Sequence, residues 1–232
     1  MKILRPVSEN EVISEFLKGE YHQTEYQSDR ELHEQAVIDP DLNDLQQNSL
    51  RRELLFRRHR VTWNELPTQI SWSVAQLDAD DVHRIRVFPR GHWPKMANGA
   101  SLSVDDLVAS IRLNRFHPST TEDVTSIQAI AYRLRKKTDS SAVMLIGVND
   151  RDPLTILEGN HRLIAAALVS ASKLTDFRCY CGFSPDMHQC FWYDDSRENF
   201  VRHAVRRILN QQPKLKASLQ HLPLSARLIK GF

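Results

Sequence analysis

Hydrophobic residues recur at helical spacing through the first 65 residues. Ser8-Glu9-Asn10-Glu11 and Ser28-Asp29-Arg30-Glu31 each place a hydroxyl three residues before a carboxylate, the spacing of a capping box at a helix start. We predict helices from these boxes to about Glu20 and about Ile38. A third helix over 42–59 follows Pro40, and its predicted inner positions are Leu45, Leu50, Leu54 and Leu55.

After Pro67 the apolar residues alternate with polar ones, which is typical of strands. We predict strands over 70–77 and 84–88, and a hairpin of strands 142–148 and 154–157 joined by the turn 149–153. Segment 177–183 also has the pattern of a half-buried strand.

Further helices are predicted over 103–113, 121–137 and 195–209. The last of these has an apolar side and a basic side. Its predicted inward residues are Phe200, Val201, Ala204, Val205 and Ile208, and its predicted outward residues are Arg202, Arg206 and Arg207. The fold class is therefore α+β, with a helical N-terminal extension (1–65), a small mixed-sheet core (66–185) and a C-terminal helix with a basic tail from Pro213 (186–232).

Composition narrows the class of protein. The chain has 232 residues, 41% of them hydrophobic and 26% charged, as in ordinary globular proteins. An apolar run of the about 20 residues that a membrane helix needs does not occur, and the start lacks the apolar core of a signal peptide. We expect a cytoplasmic protein with no membrane partner. A net charge of +2 does not by itself indicate a polyanion partner.

The most informative segment is the turn after strand 154–157. Gly159 leads from the strand into an alanine-rich helix, and His161 and Arg162 lie at the helix start. Unpaired amides and the helix dipole stabilise an anion at such a start, and arginine offers a forked donor to phosphate. The pattern indicates phosphate binding. The alternative is that Gly159 only makes a tight turn and Arg162 is a solvated residue of the first turn.

The segment 158–166 resembles the signature of the ParB/sulfiredoxin superfamily: an acidic residue, glycine, a variable residue, His or Arg, then Arg, followed by an alanine-rich helix. Segments 103–111 and 84–90 are similar to the helix and the early basic strand of that family. The resemblance covers 70–183 and implies a ParB/sulfiredoxin-like core. Members include CTP-hydrolysing DNA-partition clamps, ATP-dependent sulfinic acid reductases, free-serine kinases and nuclease-like proteins, which share nucleotide phosphate bound at this turn.

The departures from the family select among these activities. Sulfiredoxins carry a reactive cysteine where this chain has Asn160, which argues against sulfinic acid reduction. The C-terminal part shows no clear pair of recognition helices, which disfavours a DNA clamp. The motif is most similar to the Asp-Gly-His-His-Arg turn of the serine kinase branch, with Glu158 in place of Asp. Helix 121–137 is an insertion relative to the family pattern.

The resemblance therefore implies a nucleotide-dependent phosphotransferase or nucleotide hydrolase acting on a small molecule, with ATP, ADP or CTP and Mg²⁺. Gly159, Asn160 and the following amides would hold the phosphates, and Arg162 would neutralise developing charge. His161 would donate to a phosphate oxygen or relay a proton. Glu158 would hold Mg²⁺ or act as general base.

A segment rich in Pro and Gly, 88–101, combines an aromatic residue with basic ones. Trp93 could stack on a base while Arg90, His92 and Lys95 hold phosphates, so we predict a surface loop that binds the nucleotide. The alternative is a structural loop whose Trp93 plugs the sheet edge.

Two other functions remain open. A nucleic-acid-binding or nuclease-like module could use a basic patch on the third helix, although such charge runs are usually solvated helix faces near acidic neighbours. The patch comprises Arg51, Arg52, Arg57, Arg58, His59 and Arg60. The protein could also be an inert nucleotide sensor.

The cysteines present one more alternative. Cys179, Cys181, His188 and Cys190 are four potential zinc ligands within a short segment. Against zinc, cysteines on a half-buried strand usually pack as small hydrophobic residues in the core, and three cysteines do not indicate a disulfide scaffold.

Overall fold

The computed structural model describes residues 1–28, 30–194 and 196–211. The fold is α+β, as predicted: a mixed six-stranded sheet has helices packed on both faces. The strands are β1 (Lys2–Val7), β2 (Ser71–Gln76), β3 (Ile85–Val87), β4 (Ala142–Gly147), β5 (Leu154–Glu158) and β6 (Arg178–Phe183). The helices are α1 (Glu9–Glu20), α2 (Arg30–Ile38), α3 (Leu45–Glu65), α4 (Trp93–Ala97), α5 (Val104–Arg112), α6 (Thr121–Leu134), α7 (Asn160–Val169) and α8 (Arg197–Gln211).

The strand order in the sheet is β1-β2-β6-β4-β5-β3. β1, β2 and β6 are antiparallel neighbours, as are β4 and β5, whereas β6–β4 and β5–β3 are parallel pairs. The antiparallel β4–β5 pair confirms the predicted hairpin. β1 was not predicted, and it joins the sheet edge before the N-terminal helices begin.

The central strand β4 is buried on both faces and divides two hydrophobic cores. Val143 and Leu145 face one core, built with α5, α6 and α7. Ala142, Met144 and Ile146 face the other core, built with α1, α2 and α3. The N-terminal helices therefore form a complete layer on one face of the sheet.

The first predicted helices are confirmed. Ser8 caps α1 by accepting a hydrogen bond from the amide of Glu11, and α2 ends at Ile38 as expected. Helix α3 runs six residues beyond the predicted end at His59, whose backbone departs from helical geometry (φ −113°, ψ 19°) and bends the helix.

The inner face of α3 differs from the prediction. Leu54 and Leu55 are fully buried, but Leu45 is 79% exposed, because the helix starts there and not at residue 42. Arg51, predicted in the basic patch, is fully buried instead. Its guanidinium donates to the carbonyl oxygens of Ala36 and Asp41, so it joins α3 to the end of α2.

The predicted C-terminal helix is present as α8, but its buried face is different. Phe200 and Val201, predicted to point inward, are exposed, whereas Asn199 and His203 are buried. His203 contacts the Glu65 carboxylate through Nδ1, so polar contacts select the buried face of α8. Asp195, the predicted start of this helix, and the basic tail from Pro213 lie outside the described residues, as do the side chains of Arg206, Arg207 and Ile208.

The cysteines lie in the cores and not at one site. Cys179 and Cys181 share one face of β6, with sulfur atoms 3.5 Å apart, and pack in the core beneath α7. Cys190 packs in the opposite core, and His188 is exposed. Separately, among the described residues no helix is both long and apolar enough to cross a membrane.

Candidate functional site

A cavity of about 770 Å³ opens where β5 ends and α7 begins. One wall comes from α1 and α3 of the N-terminal layer, and the opposite wall comes from α6 and the start of α7. All five residues of the predicted turn line this cavity: Glu158, Gly159, Asn160, His161 and Arg162.

Glycine is required at position 159 for two reasons. Its backbone has φ +94° and ψ 20°, a left-handed conformation that strains any residue with a Cβ atom. In addition, a Cβ at this position would lie 2.8 Å from Cγ1 of Val143 on β4. The turn is therefore pressed against the central strand, and only glycine fits there.

Among the residues that the structure describes, no side chain caps the first turn of α7. Gly159 is the N-cap residue and supplies no side-chain hydrogen bond. The first intrahelical bond runs from the amide of Leu163 to the carbonyl of Gly159, which leaves the preceding amides for another acceptor. Because residues 159–162 line the cavity, this uncapped end is placed to attract an anion.

Arg162 joins the turn to its surroundings. One guanidinium nitrogen donates to the hydroxyl of Ser141, and another forms an ion pair with the carboxylate of Glu158, four residues earlier at the end of β5. The side chains of Arg162 and Glu158 are only 19% and 17% exposed. The fork of Arg162 is therefore held in place at the cavity wall.

Burial raises the pKa of Glu158 from 4.5 to about 7, and the negative charge of Glu20 acts in the same direction. The positive charge of Arg162 and hydrogen bonds from Gly159 and Arg162 oppose the rise without cancelling it. Glu158 is thus poised to exchange a proton near neutral pH, as a general base or acid should be.

Glu158 should make the stability of the protein pH-dependent. Between pH 4.5 and about 7 the unfolded chain ionises this carboxyl while the folded chain keeps its proton, so the free energy of unfolding falls as pH rises. The loss amounts to about 3 kcal/mol. We expect Glu158→Gln to remove this component, so urea denaturation at pH 4 and pH 8 should show the variant gaining relative to wild type at the higher pH.

Glu53→Gln is the matched control for that comparison. Glu53 also pairs with an arginine four residues later, Arg57, but its side chain is 69% exposed. Its substitution should give the same small effect at both pH values. A Glu158→Gln difference that is equal at pH 4 and pH 8 would contradict the raised pKa.

A second cluster lies beside the turn. The Nε2 atoms of His92 and His161 are 3.8 Å and 3.5 Å from one carboxylate oxygen of Asp123. Burial lowers the pKa of His161 below its ordinary value, and the charge of Asp123 acts in the opposite direction. Both Nε2 atoms are buried, as is Oδ1 of Asn160, and each makes no hydrogen bond within the described part of the chain.

The predicted surface loop around Trp93 is a short helix, α4, and its tryptophan is buried. Trp93 is 2% exposed because its indole packs into the core, with its ring 4.4 Å from His92 and 5.2 Å from His161. The indole of Trp93 therefore packs against the rings of both histidines. Lys95 is exposed on α4, and Arg90 packs between the rings of Phe191 and Trp192.

The fixed charges lining the cavity are balanced. Its lining includes the cations Lys18, Arg133 and Arg162 and the carboxylates Glu20, Asp139 and Glu158. Because Glu158 has a raised pKa, this balance shifts toward positive charge when it takes up a proton. Protonation of the histidines that line the cavity would shift it further in the same direction.

Several cavity residues were not predicted from the sequence. Arg133 lies on α6, the helix that appeared as an insertion relative to the family pattern. Asp123, on the same helix, contacts the cavity residues His92 and His161. Lys18 and Glu20 belong to α1, far from the turn in sequence, and Trp192 follows β6. The sequence contains no local signal for these residues, since only the packing of the layers brings them to the turn.

The predicted basic patch on α3 does not form one exposed surface. Arg51 is buried, and two of its exposed neighbours make ion pairs, Arg52 with Glu9 and Arg57 with Glu53. Arg58 lies over the ring of Tyr26. These contacts correspond to the alternative of a helix face near acidic neighbours.

Comparison of the chain with protein-family models, with curated proteins and with solved structures gave no significant match. The resemblance of residues 158–166 to the ParB/sulfiredoxin superfamily therefore stays a prediction, and the site is interpreted from its own geometry.

Proposed function

We propose that this protein is a nucleotide-dependent phosphotransferase or nucleotide hydrolase that acts on a small molecule in the cavity at the start of α7. The observation that carries the proposal is the uncapped first turn of α7, which opens into a cavity of about 770 Å³. Ligand pockets for molecules of nucleotide size have volumes of roughly 300–1,000 Å³.

The phosphates would lie at the amides of residues 160–162. The side chain of Arg162 is beside these amides, and Arg133 and Lys18 line the same cavity. A phosphate accepting from helix-start amides and from a fixed arginine gains charge-assisted hydrogen bonds without the cost of ordering a mobile side chain. This arrangement stabilises the charge that develops on a transferring phosphoryl group.

Glu158 is the proposed general base. Its pKa of about 7 suits a group that must accept a proton at neutral pH and release it afterwards. In the proposed step the acceptor hydroxyl, or water, transfers its proton to Glu158 while its oxygen bonds to the terminal phosphorus. The bond from that phosphorus to the leaving nucleotide breaks, and the leaving oxygen carries the electron pair.

The remaining cavity wall suits a base or another flat group. Trp192 lines the cavity, and its indole nitrogen is buried with no hydrogen-bond acceptor among the described residues. Phe88 contacts the same indole edge to face, with ring centres 5.1 Å apart. An aromatic wall of this kind favours a ligand that has a ring.

Mg²⁺ would accompany the nucleotide, since this ion is usually held by substrate phosphates and one or two carboxylates. The carboxylate of Glu158 is committed to Arg162, so an ion at Glu158 would have to displace the guanidinium. Asp139 and Glu20 are the other carboxylates in the cavity lining.

Thermal denaturation with ATP, ADP and CTP, each with and without Mg²⁺, tests the proposal directly. A nucleotide at about one hundred times its dissociation constant adds about 2.7 kcal/mol to the stability, which raises the melting temperature measurably. Glu158→Gln should retain binding but suppress release of the nucleotide product, because an amide does not accept the proton. Glu53→Gln, which alters an exposed Glu–Arg pair on α3, should change neither.

The outcomes separate the candidate functions. Absence of any nucleotide-induced stabilisation would overturn the proposal. Binding with no product released would leave a nucleotide sensor. Strong, salt-dependent binding of DNA or RNA in place of nucleotide would instead support the nucleic-acid module.

A further inference from the structure

His92, Asp123 and His161 come from three separate elements. His92 precedes α4, Asp123 lies in the first turn of α6, and His161 lies in the first turn of α7. One ligand atom from each residue lies within 4.8 Å of the other two. Within the described part of the chain, this is the single group of three or more His, Cys, Asp or Glu side chains with such spacing.

The spacing is close to that of a tetrahedral metal centre. Zinc bonds to imidazole nitrogen and carboxylate oxygen are about 2.1 Å long, which places neighbouring ligand atoms about 3.4 Å apart. The Asp123 oxygen is 3.5 Å from Nε2 of His161 and 3.8 Å from Nε2 of His92. A small inward movement of the imidazoles would complete the three-ligand geometry.

The histidine nitrogens are available for such a bond. Each Nε2 atom is buried and faces the same Asp123 oxygen, at 3.8 Å for His92 and 3.5 Å for His161, which is longer than a strong hydrogen bond. The two imidazole rings are stacked, 5.9 Å apart and inclined by 27°, above the buried indole of Trp93. An apolar support of this kind fixes ligand orientation and limits the access of water.

We propose that His92, Asp123 and His161 bind one divalent transition-metal ion such as Zn²⁺. Two imidazoles and one carboxylate suit zinc and its neighbours, whereas Mg²⁺ prefers oxygen ligands alone. Three protein ligands leave a fourth position, as in catalytic zinc sites. His92 and His161 line the cavity, so this open position is placed to take water or an oxygen of a bound molecule.

The site is distinct from the proposed nucleotide chemistry, since it needs neither Glu158 nor a nucleotide. The two sites share His161, because its imidazole would bind the ion and its amide belongs to the first turn of α7. The ion would therefore add positive charge next to the proposed phosphate position.

Titration of chelator-treated protein with Zn²⁺, in the absence of nucleotide, tests the site by calorimetry. We expect one ion per chain for the wild type. The double variant His92→Ala, Asp123→Asn should bind Zn²⁺ more than about 100-fold more weakly, since loss of a partner one step removed from a metal already costs roughly 10–100-fold. The single variant Asp123→Asn preserves shape and serves if the double variant does not fold.

His83→Ala is the matched control. His83 contacts the carboxylate of Asp105 on α5, so the substitution also removes one histidine from a histidine–carboxylate pair. Among the described residues this pair has no third potential ligand beside it. Zinc affinity should be unchanged by this substitution.

Co²⁺ provides a second readout, because its visible absorption reports the ligands. Bands of a four-coordinate nitrogen and oxygen site should appear in the wild type and vanish in Asp123→Asn. Absence of stoichiometric Zn²⁺ binding, equal affinity in the Asp123 variant, or a thiolate band from the cysteines would each overturn the proposal. Because nucleotide is absent, none of these results bears on the phosphotransferase proposal.

Discussion

Replacing Arg162 by alanine should weaken nucleotide binding by roughly 10- to 100-fold. A charge-assisted hydrogen bond contributes about 1.5–3 kcal/mol, and each 1.4 kcal/mol is tenfold in affinity. Arg162 is held by Ser141 and Glu158 beside the uncapped amides of α7, so its fork is already oriented for phosphate. Isothermal titration with ADP or ATP, performed on wild type and variant, measures the loss.

Arg112→Ala controls for the change in charge. Arg112 donates to the carbonyl of Leu168 at the far end of the same helix, so its removal also deletes one arginine next to α7. Arg162→Lys separates charge from geometry, because an ammonium group does not present the planar fork of a guanidinium. Nucleotide affinity that is unchanged in Arg162→Ala, or reduced equally by Arg112→Ala, would remove Arg162 from the binding site.

Gly159→Ala should destabilise the protein by roughly 2–5 kcal/mol. A left-handed backbone costs about 1–2 kcal/mol for a residue with a Cβ atom, and overpacking a core adds typically 1–3 kcal/mol. Both apply at Gly159, with φ +94° and a new Cβ 2.8 Å from Val143. The free energy of unfolding from urea denaturation measures the effect.

Gly99→Ala isolates the first of these costs, the strain of a left-handed backbone. Gly99 has φ +87°, but a Cβ there would meet nothing within 4 Å. Its substitution should therefore show only the backbone strain. If both variants lose the same stability, the close contact between the turn and β4 is relieved at no cost and the fit of Gly159 is less strict than the geometry indicates.

The turn could be predicted from the sequence because its signals are local. A strand of apolar residues, one glycine and an alanine-rich helix occupy consecutive positions, and β5, Gly159 and α7 follow that order. The capping box at Ser8 likewise located the start of α1, since Ser8 accepts a hydrogen bond from the amide three residues later. Such information lies within one helical turn of the residue concerned.

The opposite wall of the cavity could not be predicted, because it depends on contacts between distant segments. Nothing near Lys18 or Glu20 in the sequence indicates that α1 packs over the turn at residue 159. The edge strand β1 was missed for a related reason. It contains Pro6 and is mostly exposed, so it has neither the alternation nor the residue types that mark a buried strand.

Two predictions were wrong because a charged and an aromatic side chain were expected at the surface, whereas both are buried. Arg51 was grouped with surface arginines, yet its guanidinium satisfies carbonyl groups inside the N-terminal layer. Trp93 was placed on a surface loop by its Pro-Gly neighbours, yet Pro94 lies in the first turn of α4, where proline is well tolerated. In both cases the prediction followed from the type of residue, but the packing around the residue decided its position.

The central position of β4 has a consequence for how this molecule can move. Amide protons of β4 point within the sheet toward β5 and β6, and a packed core covers each face, so their exchange with solvent requires the sheet itself to open. The cavity opens at the end of β5, between α1 and the start of α7, so a ligand can enter it without any rearrangement of β4. Ligand exchange can therefore proceed while the strand against which the Gly159 turn packs stays closed.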